Sequence, residues 1–135
     1  MTLTNIGRGN WLTLFLLWGL IMREADIQNL ILMALSDAGC KVWRQNVGVG
    51  WTGDATRLND GSVLIRNPRP LHAGLCRGSS DIIGITTEGR FLAVEVKTQH
   101  GRVTPEQENF IARIGQQGGI SGVCRSVDDA LKLIS

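Results

Sequence analysis

The sequence predicts an α/β domain in which a mixed central β-sheet is flanked by helices, and three observations carry that reading. An apolar stripe at helical spacing runs through Arg23 to Ala38. Two apolar segments, Asp81 to Ile85 and Phe91 to Lys97, are joined by the turn sequence TTEGR. The passage from Phe91 to Arg125 then reads strand, helix, strand. A strand, helix, strand passage implies a parallel crossover, and beside an antiparallel hairpin it makes the sheet mixed. The expected order is α, β, β, β, β, α, β, α.

The first helix rests on Ile27, Ile31, Ala34 and Ala38, flanked by Leu30 and Leu35, with Gly39 as its C-terminal stop. Cys40 to Gln45 reads as a short strand. Asn46 to Asn59, with VGVGWTG and LNDG, shows little periodicity and is expected to be a mobile loop. Ser62 to Arg66 is a brief strand, and Asn67 to Ser80, broken by Pro68, Pro70, Gly74 and Gly78, is expected to be a second loop. In TTEGR, Gly89 can take the left-handed conformation that a hairpin turn needs. Thr104 as N-cap, Pro105 at N1 and Gln107 at N3 spell a capping box that opens a helix running to about Gln117 and ending at Gly118. Ile120 to Arg125 is the last strand, and Ser126 with Asp129 opens a closing helix through Ile134.

A chain of 135 residues suits a single domain, and 43% hydrophobic with 19% charged residues lies outside the disordered and disulfide-scaffold classes. The net charge of +2 is too small to imply nucleic acid by itself, but it is segregated. Lys41, Arg44, Arg57, Arg66, Arg69 and Arg77 stand against only Asp54 and Asp60 between residues 41 and 77, so that stretch carries +4 and the remainder −2. Cys40, Cys76 and Cys124 are odd in number and form no CxxC pair, which fits a reducing cytoplasm and no zinc site. The apolar run Trp11 to Met22 is shorter than the ~20 residues of a membrane span, and no small-residue cleavage site follows it. Residues 1–21 are therefore read as an extension outside the functional fold, and 22–135 as the working domain, with no membrane partner.

Candidate chemistry gathers on the second strand of the hairpin. Alternation puts Phe91, Ala93, Glu95 and Lys97 on one face and Leu92, Val94 and Val96 on the other. With residues 86–90 as the loop, Ile85 faces Phe91, and the same register sets Asp81 opposite Glu95, their Cβ atoms about 5 Å apart. Two carboxylates so close repel unless a cation bridges them or a proton is shared. Oxygen ligands of this kind suit magnesium, with manganese able to substitute. Lys97 would stand beside such a metal, and Glu24 lies at the end of the first helix's core-facing row. Each residue also has a plain structural reading: an ExK pair as a solvated ion pair, Glu24 as a first-turn acid favoured by the helix dipole, Gln107 as a cap. Trp43 and Trp51 read first as core and second as surfaces on which unpaired bases could stack.

The ordered pattern Glu24, GSSDIIGI (Gly78 to Ile85), AVEVKT (Ala93 to Thr98) and GRVTPEQENFI (Gly101 to Ile111), with the ending GGISGVCRSVDDAL, resembles the VRR-NUC family of virus-type replication-repair nucleases. That family belongs to the PD-(D/E)XK, restriction-endonuclease-like group, whose core is of αβββαβ type. The resemblance covers about Met22 to Ser135. It implies Asp81 and Glu95 as metal ligands with the Val96 carbonyl, Lys97 as the catalytic lysine, and Glu24 and Gln107 as supporting site residues. Where the family often has proline before its aspartate, this chain has Ser80.

Taken with the resemblance, the residues lead to a magnesium-dependent DNA endonuclease acting on branched DNA in replication, repair or recombination. It would work as a homodimer in the cytoplasm of a bacterial or phage-infected cell and take no small-molecule substrate. A carboxylate-held metal lowers the pKa of water and polarises the phosphate, while a lysine offsets developing charge. Lys41, Arg44, Arg57, Arg66, Arg69 and Arg77 are the candidate DNA contacts. Two other readings stand beside this one: a sequence-specific restriction or nicking enzyme, and a DNA-binding module with a silent site.

Overall fold

In the computed structural model, which describes residues 22–135, the elements are α1 (Glu24–Asp37), β1 (Lys41–Arg44), β2 (Gly48–Arg57), β3 (Val63–Ala73), β4 (Ile82–Ile85), β5 (Phe91–Val96), α2 (Pro105–Gln116), β6 (Ile120–Cys124) and α3 (Val127–Ile134). The apolar run Trp11 to Met22 and the extension 1–21 lie outside the described residues, save Met22. No helix among the described residues is long and apolar enough to cross a membrane.

Four strands form the central sheet in the order β1, β4, β5, β6, with β1, β4 and β5 antiparallel and β5 and β6 parallel. The mixed sheet and its flanking helices are those the sequence predicts. Set apart from it, β2 and β3 pair only with each other. Without that ribbon the order is α1, β1, β4, β5, α2, β6, which is the αβββαβ core, followed by α3.

Leu92, Val94 and Val96 are fully buried and pack with Ile27, Ile31 and Leu35 of α1 and Ala130 of α3. Burying side chains of this size contributes about 1.5–3 kcal/mol each. The row on α1 is a correction: it runs Ile27, Ile31, Leu35 rather than through Ala34 and Ala38, and Ala38 is exposed. A strict four-residue step puts the larger leucine in the core, and the helix ends before Ala38 could join it. Central β5 is buried on both faces, so its second face, with Ala93 and Glu95, lies under α2. The hairpin keeps the expected register, Ile85 opposite Phe91 through Ile82 opposite Val94, and Gly89 takes φ 79° in the turn.

The two expected loops are the larger correction. Asn46 to Asn59 contains β2, and the brief strand at Ser62 to Arg66 extends through Pro68 and Pro70 to Ala73, so five strands precede α2. Proline is tolerated because a strand in a two-stranded ribbon has one unpaired edge. A bulge between Thr52 and Asp54, where Asn67 takes φ 51°, absorbs the irregularity. Trp43 and Trp51 are exposed rather than core.

Candidate active site

The site forms at the end of the sheet where β4 begins and β5 leaves. Asp81 sits one residue before β4, and its Oδ2 accepts a hydrogen bond from the Val96 amide at 2.8 Å. An extended residue directs its N–H and C=O to the same side, so the Val96 carbonyl lies on the side of β5 that faces Asp81. Three elements pin the aspartate. Its carbonyl oxygen accepts from the Gln45 amide at 2.6 Å, just past β1, and from Gln28 Nε2 on α1 at 3.3 Å.

Glu95 is wholly buried. Its Oε1 accepts from Lys97 Nζ at 2.9 Å and from Gln107 Nε2, while its Oε2 has no hydrogen-bond partner. Burial, opposed by the hydrogen bond from Lys97 and reinforced by the Asp81 charge, pushes the Glu95 carboxyl from 4.5 up to about 7. For Lys97, burial acts to lower the pKa, but the hydrogen bond and charge of Glu95, with Glu24 and Asp81 behind it, outweigh that and hold the ammonium above its usual range.

Gln107 unites its two readings. Its Oε1 accepts from the Thr104 amide at 2.9 Å and its own amide bonds to Thr104 Oγ1, completing the capping box, while its Nε2 reaches Glu95. The cap thus holds the side chain that holds the carboxylate. Gly78, at φ 82°, lets the loop before Asp81 lie against the start of α2: a Cβ there would come within 2.5 Å of the Glu106 backbone. Arg125, at the end of β6, donates to the carbonyls of Thr98 and Gly101 and ties down the connection from β5 to α2.

These residues line a cleft of about 340 Å³ that includes Glu24, Gln45, Ser79, Asp81, Lys97 and Gln107. Five of the expected site residues therefore meet: Asp81, Lys97, Glu24 and Gln107 line the cleft, and Glu95 lies buried against Lys97 and Gln107. Sequence reasoning missed Gln28, Gln45 and Ser79. Gln28 was within reach, since it stands one turn after Glu24 on the same row of α1. Gln45 and Ser79 carry no local signal. Their relevance shows only in the fold, where Gln45 Nε2 and Ser79 Oγ are buried without partners.

The basic candidates scatter. Arg77 lines the cleft but pairs with Glu106 at 2.9 Å, and Arg44 donates to Asn29. Lys41 starts β1, at the opposite end of the β1–β4 pair from Arg44 and the Asp81 end. Arg57, Arg66 and Arg69 are on the ribbon.

Among the described residues no group of three or more His, Cys, Asp or Glu side chains gathers to hold a metal. The donor set available is instead two carboxylates and a main-chain carbonyl. The orphaned Glu95 Oε2 fits a hard cation: a buried carboxylate oxygen without a donor is costly unless a positive charge meets it. All three cysteines are free, Cys40 and Cys124 buried and Cys76 exposed, and burial pushes the Cys124 thiol up to about 12.

No curated protein matches the chain closely enough to count as a relative. The VRR-NUC domain model, by contrast, matches residues 22–128, most of the chain. With its sheet of PD-(D/E)XK type, Asp81 and Lys97 in one cleft and Glu95 buried beside them, the chain belongs to the VRR-NUC family of nucleases.

Proposed function

We propose that this protein is a divalent-metal-dependent DNA endonuclease whose cleft hydrolyses phosphodiester bonds in branched DNA. The observation that carries the reading is Glu95: a carboxylate buried to 0% exposure, with one oxygen orphaned and Asp81 close enough to raise its pKa. Burying a carboxylate oxygen without a donor costs stability, and a bound cation would offset that cost.

Asp81, Glu95 and the Val96 carbonyl would hold the cation, magnesium by the hardness of the three oxygens, with manganese as a substitute. When bound, the metal supplies Lewis-acid polarisation of the phosphate and acidification of water. The rest falls to the chain. Lys97 places its ammonium beside Glu95, where it orients a nucleophile or offsets charge developing on the phosphate. Gln107 keeps Glu95 in one rotamer, and Gln28 and Gln45 fix the backbone of Asp81. Glu24 adds negative charge near Lys97 and so favours its protonated form.

Action on two strands at a junction calls for two sites related by a twofold axis, and the proposal is accordingly for a homodimer. Cleavage of forked, four-way and linear duplex DNA with magnesium tests the substrate. Preference for the branched forms is expected. Equal cutting of all three would leave a nuclease without structural selectivity, and cutting at one sequence in linear duplex would favour a restriction-type enzyme.

A further inference from the structure

The β2–β3 ribbon contributes no residue to the buried core and stands outside the central sheet. Eleven residues of β3 span about 36 Å at ~3.3 Å each. An isolated two-stranded ribbon is marginal in water, so a ribbon this long and exposed calls for a partner along its length.

Its charges say which partner. Asp54 and Asp60 are the acids between residues 48 and 73, and both are satisfied within the ribbon: Asp54 Oδ2 accepts from Asn67 Nδ2 at 3.0 Å, and Asp60 Oδ1 accepts from the Ser62 amide at 2.9 Å and its hydroxyl at 2.6 Å. Arg57, Arg66 and Arg69 form no salt bridge among the described residues. The register pairs Thr52 with Arg69 and Asp54 with Arg66, so the two arginines flank the bulge of β3 midway along the ribbon. A second groove, of about 520 Å³, lies at the root of the ribbon, and Val47 and Arg77 line both it and the active-site cleft. The groove at the root of the ribbon therefore adjoins the cleft. The major groove of duplex DNA, about 12 Å wide, admits a two-stranded ribbon without the deformation that the minor groove, about 6 Å wide, would need.

We propose that the β2–β3 ribbon is a DNA-gripping arm that lies in the major groove of the duplex beside the cut, with Arg66 and Arg69 contacting its phosphates. The inference rests on the reading of the cleft as a DNA nuclease and names the part that holds the substrate.

The test is the double variant Arg66→Ala, Arg69→Ala beside the wild-type chain, with anisotropy of a labelled duplex measured in EDTA over a range of salt. The arm predicts affinity lower by roughly 10-fold or more, and a slope of log affinity against log salt shallower by about 1.8 for two lost phosphate contacts. Sedimentation without DNA and calorimetric binding of magnesium should not change. Unaltered affinity and slope overturn the proposal, as does a change in sedimentation, which would make the ribbon a contact between copies of the chain. Cleavage by the wild type in magnesium separates the two readings. If it cuts while the double variant binds DNA normally, the arm falls and the nuclease stands. If it does not cut while the double variant loses affinity, the cleft reading falls and the arm stands.

Discussion

Replacing Glu95 by glutamine should make the metal-free protein more stable at neutral and alkaline pH while abolishing cleavage. Burial, with Asp81 adding to it, raises the Glu95 carboxyl from 4.5 to about 7 in the folded state. A folded-state pKa above the unfolded one gives stability that is fully present below about pH 4.5 and is lost as pH rises through about 7. At about 1.4 kcal/mol per pH unit, the loss approaches on the order of 3 kcal/mol by pH 8. An amide keeps Oε1 for Gln107 and Lys97 and replaces an oxygen that has no donor, so it sheds the charge without losing a hydrogen bond. The value of about 7 already contains the opposing pull of Lys97, so the gain at pH 8 stays at about 3 kcal/mol, or on the order of 10 °C in a domain of this size. Thermal melts in EDTA at pH 5 and pH 8 measure it: near-equal melting temperatures at pH 5, and Glu95→Gln higher at pH 8. A variant less stable at pH 8, or an equal difference at both pH values, would refute the account of Glu95. Added magnesium should then raise the melting temperature of the wild type and leave the variant unmoved.

Lys97→Ala should lower the single-turnover rate by about 10² to 10³ at saturating metal; because Lys97 opposes the upward shift of Glu95, the comparison is made over a pH series and read at the plateau of each protein. A rate that recovers fully once metal saturates would make Lys97 a support for metal binding alone. Gln107→Ala removes both a cap and the donor to Glu95, so denaturant melts should show a loss of about 1 kcal/mol together with slower cleavage; a stability loss with an unchanged rate would leave Gln107 a cap only. A chain beginning at Met22 should fold and cut like the full chain, because every proposed site residue lies at or after Glu24; sedimentation and cleavage of both forms decide whether residues 1–21 belong to the working fold.

What the sequence made legible was local. The Thr104, Pro105, Gln107 cap and the register that sets Asp81 near Glu95 follow from turn and capping rules acting over a few residues, and both hold in the fold. The ribbon was hidden because Gly48, Gly50 and Gly53 on one strand and Pro68 and Pro70 on the other lower strand propensity, although Val47, Val49 and Trp51 alternate as a strand does. Here pairing between the two segments outweighs propensity. The second role of Gln107 and the grip of Gln45 on Asp81 join residues distant in the chain, and no periodicity announces them, whereas Gln28 stands one turn after Glu24 on α1 and could have been read from helical spacing.

The most direct test of the central claim is cleavage of four-way junction DNA by the wild type and by Asp81→Asn, each titrated with magnesium. Asp81 supplies a proposed metal ligand at the mouth of the cleft and bonds the Val96 amide through one oxygen, which the asparagine oxygen can still do. The account predicts metal-dependent cutting by the wild type and, in the variant, no cutting at any magnesium concentration with DNA affinity retained or improved. Cutting by the wild type in EDTA, or undiminished turnover by Asp81→Asn, would contradict it.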